Sequence, residues 1–181
     1  DIDDLASWAE HDAAAEVEVW KKALERGETG ALPDRWRRGY REACLACMEA
    51  LATTSAVRDG ILHRDLHPEQ IFIGGGQVGF VDLDEVAVGE AELDLGNLTA
   101  HLELADLQEH GESRSAPLLA EAFLNSYATK RSFTADRLAA YRASSLLRLA
   151  SLARLGGRDR SVLPWDSLAE GLVRRAIDGL R

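Results

Sequence analysis

His63-Arg64-Asp65-Leu66-His67-Pro68-Glu69-Gln70 is a polar, proline-containing run that leads into Ile71-Phe72-Ile73, Gly74-Gly75-Gly76, Val78-Gly79-Phe80-Val81 and then Asp82-Leu83-Asp84. Short β-branched and aromatic runs on either side of a triple glycine predict a β-hairpin, with Ile61-Leu62 as a further short strand before the loop. The polar loop therefore enters a hairpin whose second strand brings an aspartate back towards it. Asp84 lies two residues beyond Asp82 and would share its strand face, so the spacing alone leaves two candidates for the returning carboxylate.

Outward from this segment the periodicity is helical. Leu5, Trp8, Val17, Trp20 and Leu24 predict a helix from Asp3 to about Arg26, ended by Gly27 and Gly30. A second helix is expected from Pro33 and Asp34 to about Ser55, carrying Trp36, Tyr40, Leu45, Met48 and Leu51. After Gly89 the pattern predicts helices over 92–110, 116–130, 134–155 and 166–180, with Thr134 and Asp166 as N-caps and Gly156-Gly157 and Pro164 as breaks. The expected fold is mainly α (α+β), helical with a small central hairpin, and residues 1–181 form a single domain.

Composition narrows the functions open to such a domain. The formal net charge of −10 argues against a nucleic-acid partner, which would need a basic surface. No apolar run approaches a membrane span, and the acidic amino-terminal residues do not resemble a signal peptide. The two cysteines, Cys44 and Cys47, provide no disulfide framework and suit a reducing, cytoplasmic location. Because the chain starts Asp1-Ile2-Asp3-Asp4, it is expected to be a piece of something longer.

The loop and the hairpin together suit phosphoryl transfer from a nucleotide. That reaction needs one carboxylate to orient the attacking hydroxyl and accept its proton. It needs a second to hold a divalent metal against the phosphates, usually helped by an amide oxygen. Asp65 and Gln70 have the D-x-x-x-x-N loop spacing, and the hairpin supplies Asp82.

The segment from about Ile61 to Leu98 resembles the core of the aminoglycoside phosphotransferase and choline kinase-like family, a branch of the protein-kinase-like fold. Members carry HGDxHxxN, a hairpin and IDxxxxxxGDPxxDLA. Here the run is HRDLHPEQ, the hairpin, then FVDLDEVAVGEAELDLGNL. The resemblance implies a C-terminal lobe with the catalytic loop at 63–70 and the metal-binding segment at 80–84. It implies Asp65 as catalytic base, Gln70 and Asp82 as metal ligands (Asp84 as the alternative), and His63 and Asp94 as residues that brace the loop. Mg2+ is the implied metal, ATP or GTP the co-substrate, and a hydroxylated small molecule such as an aminoglycoside, amino alcohol or sugar the acceptor.

Three positions depart from the family pattern. Gln70 replaces Asn, Arg64 replaces glycine, and Gly89-Glu90-Ala91 replaces GDP. No Gly-rich phosphate loop and no strand lysine with a helix glutamate precede His63; the roughly sixty residues there read as two helices. The N-terminal nucleotide-binding lobe is therefore expected to be absent from this chain, leaving an inactive fragment of a phosphotransferase. The competing reading is a non-catalytic binding or regulatory module, a degenerate kinase lobe that kept its scaffold. A hydrolase using Asp65 and His67 ranks last because no nucleophile motif accompanies them.

Other residue groups favour plain structural readings. His63 and His67 lack further ligands at zinc spacing, and Cys44 and Cys47 lie within a helical pattern that predicts burial. Trp8, Trp20, Trp36 and Tyr40 are expected to pack between helices, with carbohydrate stacking as a minor alternative. Asp84, Glu85, Glu90 and Glu92 read as a solvated loop, or else as recognition of an aminated substrate, chiefly by Glu85 and Glu90. Arg142, Arg148, Arg154 and Arg158 read as a polar helix face rather than an anion site.

Overall fold

The computed structural model describes residues 8–25, 34–53, 60–152 and 161–181. Its elements are strand β1 (Glu10–His11), helix α1 (Ala13–Glu25), helix α2 (Asp34–Thr53) and strand β2 (Gly60–Leu62). A single 3-10 turn at Pro68–Gln70 follows. The hairpin is β3 (Ile71–Gly74) with β4 (Gln77–Phe80), followed by β5 (Ala87–Gly89). Helices α3 (Glu92–His110), α4 (Ala116–Ala128), α5 (Ala135–Leu152) and α6 (Trp165–Gly179) complete the fold. None of the helices, among the described residues, is long and apolar enough to cross a membrane.

Helix α3 is the axis of the molecule. Its residues from Glu92 to Ala100 are all buried, including the polar ones, so it is a central helix rather than a surface one. It packs against α5, which in turn packs against α2 and α6. Gly96 permits the close approach to α5: a Cβ there would lie 2.6 Å from the Arg142 backbone nitrogen and 2.9 Å from the Tyr141 carbonyl carbon. Tyr141, Leu146 and Leu147 of α5 meet Cys44, Cys47 and Leu51 of α2 and Leu168 and Leu172 of α6 in one apolar core. Gly111, at φ 74°, ends α3 in the left-handed conformation expected just past a helix.

A small sheet, in the order β1-β5-β2, sits at the amino-terminal end of α3. Strand β5 runs parallel to β1 and antiparallel to β2. Gly89 makes this pairing possible, since a Cβ there would lie 2.0 Å from the His11 carbonyl oxygen. In the hairpin, Ile71 faces Phe80 and Ile73 faces Val78.

The first helix starts later than its apolar pattern predicts. Asp12 accepts from the Ala15 N–H at 2.9 Å and so caps α1, while Glu10 and His11 are committed to the sheet and Trp8 precedes both elements. Asp166 does not cap the last helix. Pro164 holds that position, and Asp166 accepts from Arg35 at 2.8 Å instead. Cys44 and Cys47 are fully buried, as their helical context predicts, and burial pushes the Cys44 thiol up to about 12. Trp20 and Tyr40 pack edge to face in the core, with Trp36 partly buried beside it. Leu5, Gly27, Gly30, Pro33, Ser55, Arg154, Leu155, Gly156, Gly157 and Arg158 lie outside the described residues.

Two predictions follow from the packing around α3. Gly96→Ala should lower stability by about 1–3 kcal/mol despite the better helix propensity of alanine, because both obstructing atoms are backbone. A thermal melt reads this, and an unchanged or raised Tm would contradict the close-approach explanation. Asp106 of α3 accepts from the backbone N–H groups of Arg114 (2.6 Å) and Ala116 (2.7 Å) and from the Ser115 hydroxyl (2.8 Å), tying down the start of α4. Burial opposes the charged form, but these donors together hold the carboxyl at about 2, below its ordinary 3.8. The folded state thus keeps its charge where the unfolded chain takes up a proton, and Asp106 contributes stability that is lost as pH falls from about 3.8 towards about 2. Asp106→Asn should lower Tm at neutral pH and flatten its decline across that window.

Candidate active site

The loop after β2 is held at both ends by α3. One carboxylate, Asp94, accepts from the His63 backbone N–H at 2.6 Å and from the Arg64 backbone N–H at 2.9 Å. One helical turn on, the Asn97 side-chain amide donates to the Leu66 carbonyl at 3.1 Å. His63 is buried, and its Nε2–H donates to the Val81 carbonyl at 2.8 Å, stitching the loop to the end of the hairpin. Burial pushes the Asp94 carboxyl upward, against the opposite pull of the two backbone N–H groups. Between the clamped ends, Asp65 projects with its side chain 60% exposed.

Arg64 has φ 70°, a conformation natural to glycine and costly for arginine by about 1–2 kcal/mol. Its guanidinium lies 3.2 Å from the Glu85 carboxylate, so the substitution supplies an ion pair of its own. Asp82 also has a left-handed φ, 59°, which aspartate tolerates better than most residues. This bend follows β4, and the Gln70 amide donates to Asp82 Oδ2 at 3.1 Å. Gln70 and Asp82 are thus side by side, while Asp65 and Asp82 line a single cleft of 440 Å³. Asp84 lies exposed in the following turn and is not part of the cleft lining.

Of the acidic residues expected to meet an aminated substrate, Glu85 lines the cleft but is engaged by Arg64. Glu90 is not brought there. It is 3% exposed, forms an ion pair with Arg137 at 2.9 Å and accepts from the Ala13 N–H at 3.3 Å, fastening α1 and α5 to the end of β5. Glu92 is also buried, and its carboxylate accepts from the Thr134 N–H at 2.8 Å.

Three features were not expected at the site, Arg148 among them despite its reading as part of a polar helix face. His101 of α3 stacks on His67, with ring centroids 4.9 Å apart, and the His67 Nε2 lies 3.8 Å from Asp65 Oδ2. Burial, then the neighbouring His67, lowers His101 to about 4. The spacing Asp94, Asn97, His101 puts all three on one helix face, and this was the available signal. The other two features are Glu16 and Arg148, which join the cleft wall from α1 and α5. Glu16 Oε1 accepts from the Ser144 hydroxyl and from Arg148 Nη2, each at 2.6 Å, and Oε2 lies 3.1 Å from His11 Nε2. Burial acts to raise this carboxyl, but His11, Arg148 and Ser144 hold it at about 2.

The donor set suits a hard cation shared with a ligand. No group of three His, Cys, Asp or Glu able to hold a metal occurs among the described residues. Magnesium is commonly bound through one or two protein oxygens, with phosphates and waters completing its shell. An adjacent carboxylate and carboxamide fit that pattern.

Solved structures share the fold. A choline/ethanolamine kinase family protein from Mesorhizobium loti matches with a TM-score of 0.59 at 18% identity over 96% of this chain and 56% of its own. Spectinomycin phosphotransferase APH(9)-Ia, in complex with ADP and spectinomycin, matches with a TM-score of 0.57 at 12% identity over 99% of this chain and 60% of its own. The chain thus spans less than two thirds of either protein. No curated protein matches it significantly in sequence. Residues 2–141, well over half of the chain, match the family described as "Phosphotransferase enzyme family". A central helix that clamps an aspartate-bearing loop, a hairpin that returns a second aspartate, and this sequence match make the chain a member of that phosphotransferase family.

Proposed function

We propose that the protein carrying this chain transfers the terminal phosphoryl group of ATP or GTP to a hydroxyl of a small molecule. The observation that carries the reading is the convergence of Asp65, Asp82 and Gln70: two carboxylates line one cleft, and the carboxamide touches the second of them. Asp65 orients the acceptor hydroxyl and takes its proton as the new O–P bond forms and the bond to the departing nucleoside diphosphate breaks. Asp82 and Gln70 would hold magnesium, the Gln70 amide turning so that its oxygen rather than its nitrogen faces the site. Bound magnesium offsets the negative charge of the phosphates. Asp94, Asn97 and His63 keep the loop and the hairpin end in register.

We further propose that the elements gripping the nucleotide come from a segment outside residues 1–181. Before His63, the described residues form two helices and two short strands, without a Gly-rich phosphate loop. The second reading, a non-catalytic binding module, draws on Gln70 in place of asparagine. Magnesium-dependent nucleotide binding by the full-length protein separates the two, since a bare scaffold has no need of it.

Asp65→Ala in the full-length protein should reduce kcat by roughly 10²–10⁴-fold with the melting curve retained. Unchanged turnover would refute the assignment. Asp82→Asn should raise the magnesium concentration needed for half-maximal rate far more than Asp84→Asn does, measured by magnesium titration. The reverse order would transfer the ligand role to Asp84. Residues 1–181 alone should show no transfer in a radiolabelled-nucleotide assay.

A further inference from the structure

The wall of the cleft contributed by α1 and α5 bears on which acceptor it admits. Glu16 is 2% exposed, and its two oxygens are matched by three donor groups, from Ser144, Arg148 and His11. Ser144 is itself fixed by the Trp20 indole N–H at 2.8 Å. Buried and committed to these donors, Glu16 is not presented to an ammonium group in the cleft. Arg148 is in the opposite condition. Its Nη2 is bound by Glu16, its side chain is 40% exposed, and its Nε and Nη1 meet no acceptor among the described residues. Glu16 therefore holds the guanidinium through one nitrogen and leaves its other N–H donors to the cleft that also holds Asp65. Of the other charges lining the cleft, Arg64 and Glu85 pair with each other, while Asp65 and Asp82 are the carboxylates assigned above to the acceptor hydroxyl and the metal.

We infer that Arg148 binds an anionic group of the acceptor, so that the substrate is an alcohol bearing a carboxylate or phosphate ester rather than a polyamine. The remaining N–H donors of the guanidinium suit either anion through charge-assisted hydrogen bonds. The inference rests on the phosphotransferase reading above and gives that reaction its substrate class. It also separates Arg148 from Arg142, which is directed to Glu103 at 3.6 Å.

The test uses the full-length protein with magnesium and ATP, comparing kcat/KM within matched pairs: homoserine against 3-aminopropanol, and glycerate against glycerol. Choline and kanamycin serve as cationic acceptors. The anionic member of at least one pair should be favoured by about tenfold or more, the scale of one charge-assisted hydrogen bond. Arg148→Gln should raise KM for that acceptor by roughly 10–100-fold with little change in kcat, and Arg148→Lys should restore part of the loss. Removing Arg148 leaves Glu16 short of a partner and can impair folding, so the wild-type ranking decides the question independently. Preference for neutral or cationic acceptors, or a KM indifferent to Arg148, overturns this inference and leaves the phosphotransferase reading standing. Transfer to no acceptor of any charge overturns both.

Discussion

The Asp94 carboxylate, accepting from two consecutive backbone N–H groups at the start of the loop, is the contact from which the rest of the site takes its position. Arg64, whose N–H is one of the two donors, is left-handed at φ 70°, and Asp65 follows it exposed while its neighbours stay anchored. A charge-assisted pair of bonds contributes more than two neutral ones and can offset the strain of a non-glycine residue in this region. The same helix carries Asn97 to the other end of the loop and His101 to the histidine stack, so one rigid element sets three points of the site. Gly96 lies on that helix too, letting α5 close against it and bring Arg148 to the cleft.

The molecule divides its polar residues between two tasks. Glu90, Arg137, Glu92 and Asp106 are buried and join elements that lie far apart in sequence or meet at turns. Asp65 and Asp82 line a common cleft, and Gln70 donates to the second of them. Glu16 and Arg148 bridge the two groups, one buried and one half in solvent. A sequence does not distinguish these classes, because a carboxylate in a turn reads alike whether it faces solvent or an arginine from another helix.

Local signals in the sequence therefore had uneven reach. The hairpin was legible because triple glycine between apolar runs leaves few alternatives, and α3 spans the residues its helical pattern after Gly89 predicts. Strand β5 was not: Ala87-Val88-Gly89 is too short to alternate and becomes a strand only because β1 and β2 flank it. The overlong first helix had a similar cause, since Glu10 and His11 find their partners almost eighty residues later. The adjacency of Gln70 and Asp82 followed from loop spacing and hairpin return, whereas the Glu16–Arg148 contact joins residues with no shared local pattern. Glu90 was misplaced for the same reason, its partner Arg137 lying on a distant helix.

A crystal structure of the full-length protein with nucleotide and Mn2+ in place of magnesium, with the metal located by anomalous scattering, addresses the central claim most directly. The account predicts a metal within about 2.0–2.3 Å of an Asp82 carboxylate oxygen and a Gln70 amide oxygen, bridging phosphate oxygens, with the Asp65 carboxylate free to face the acceptor. A metal bound away from Asp82, or Asp65 turned out of the cleft in that complex, would contradict it.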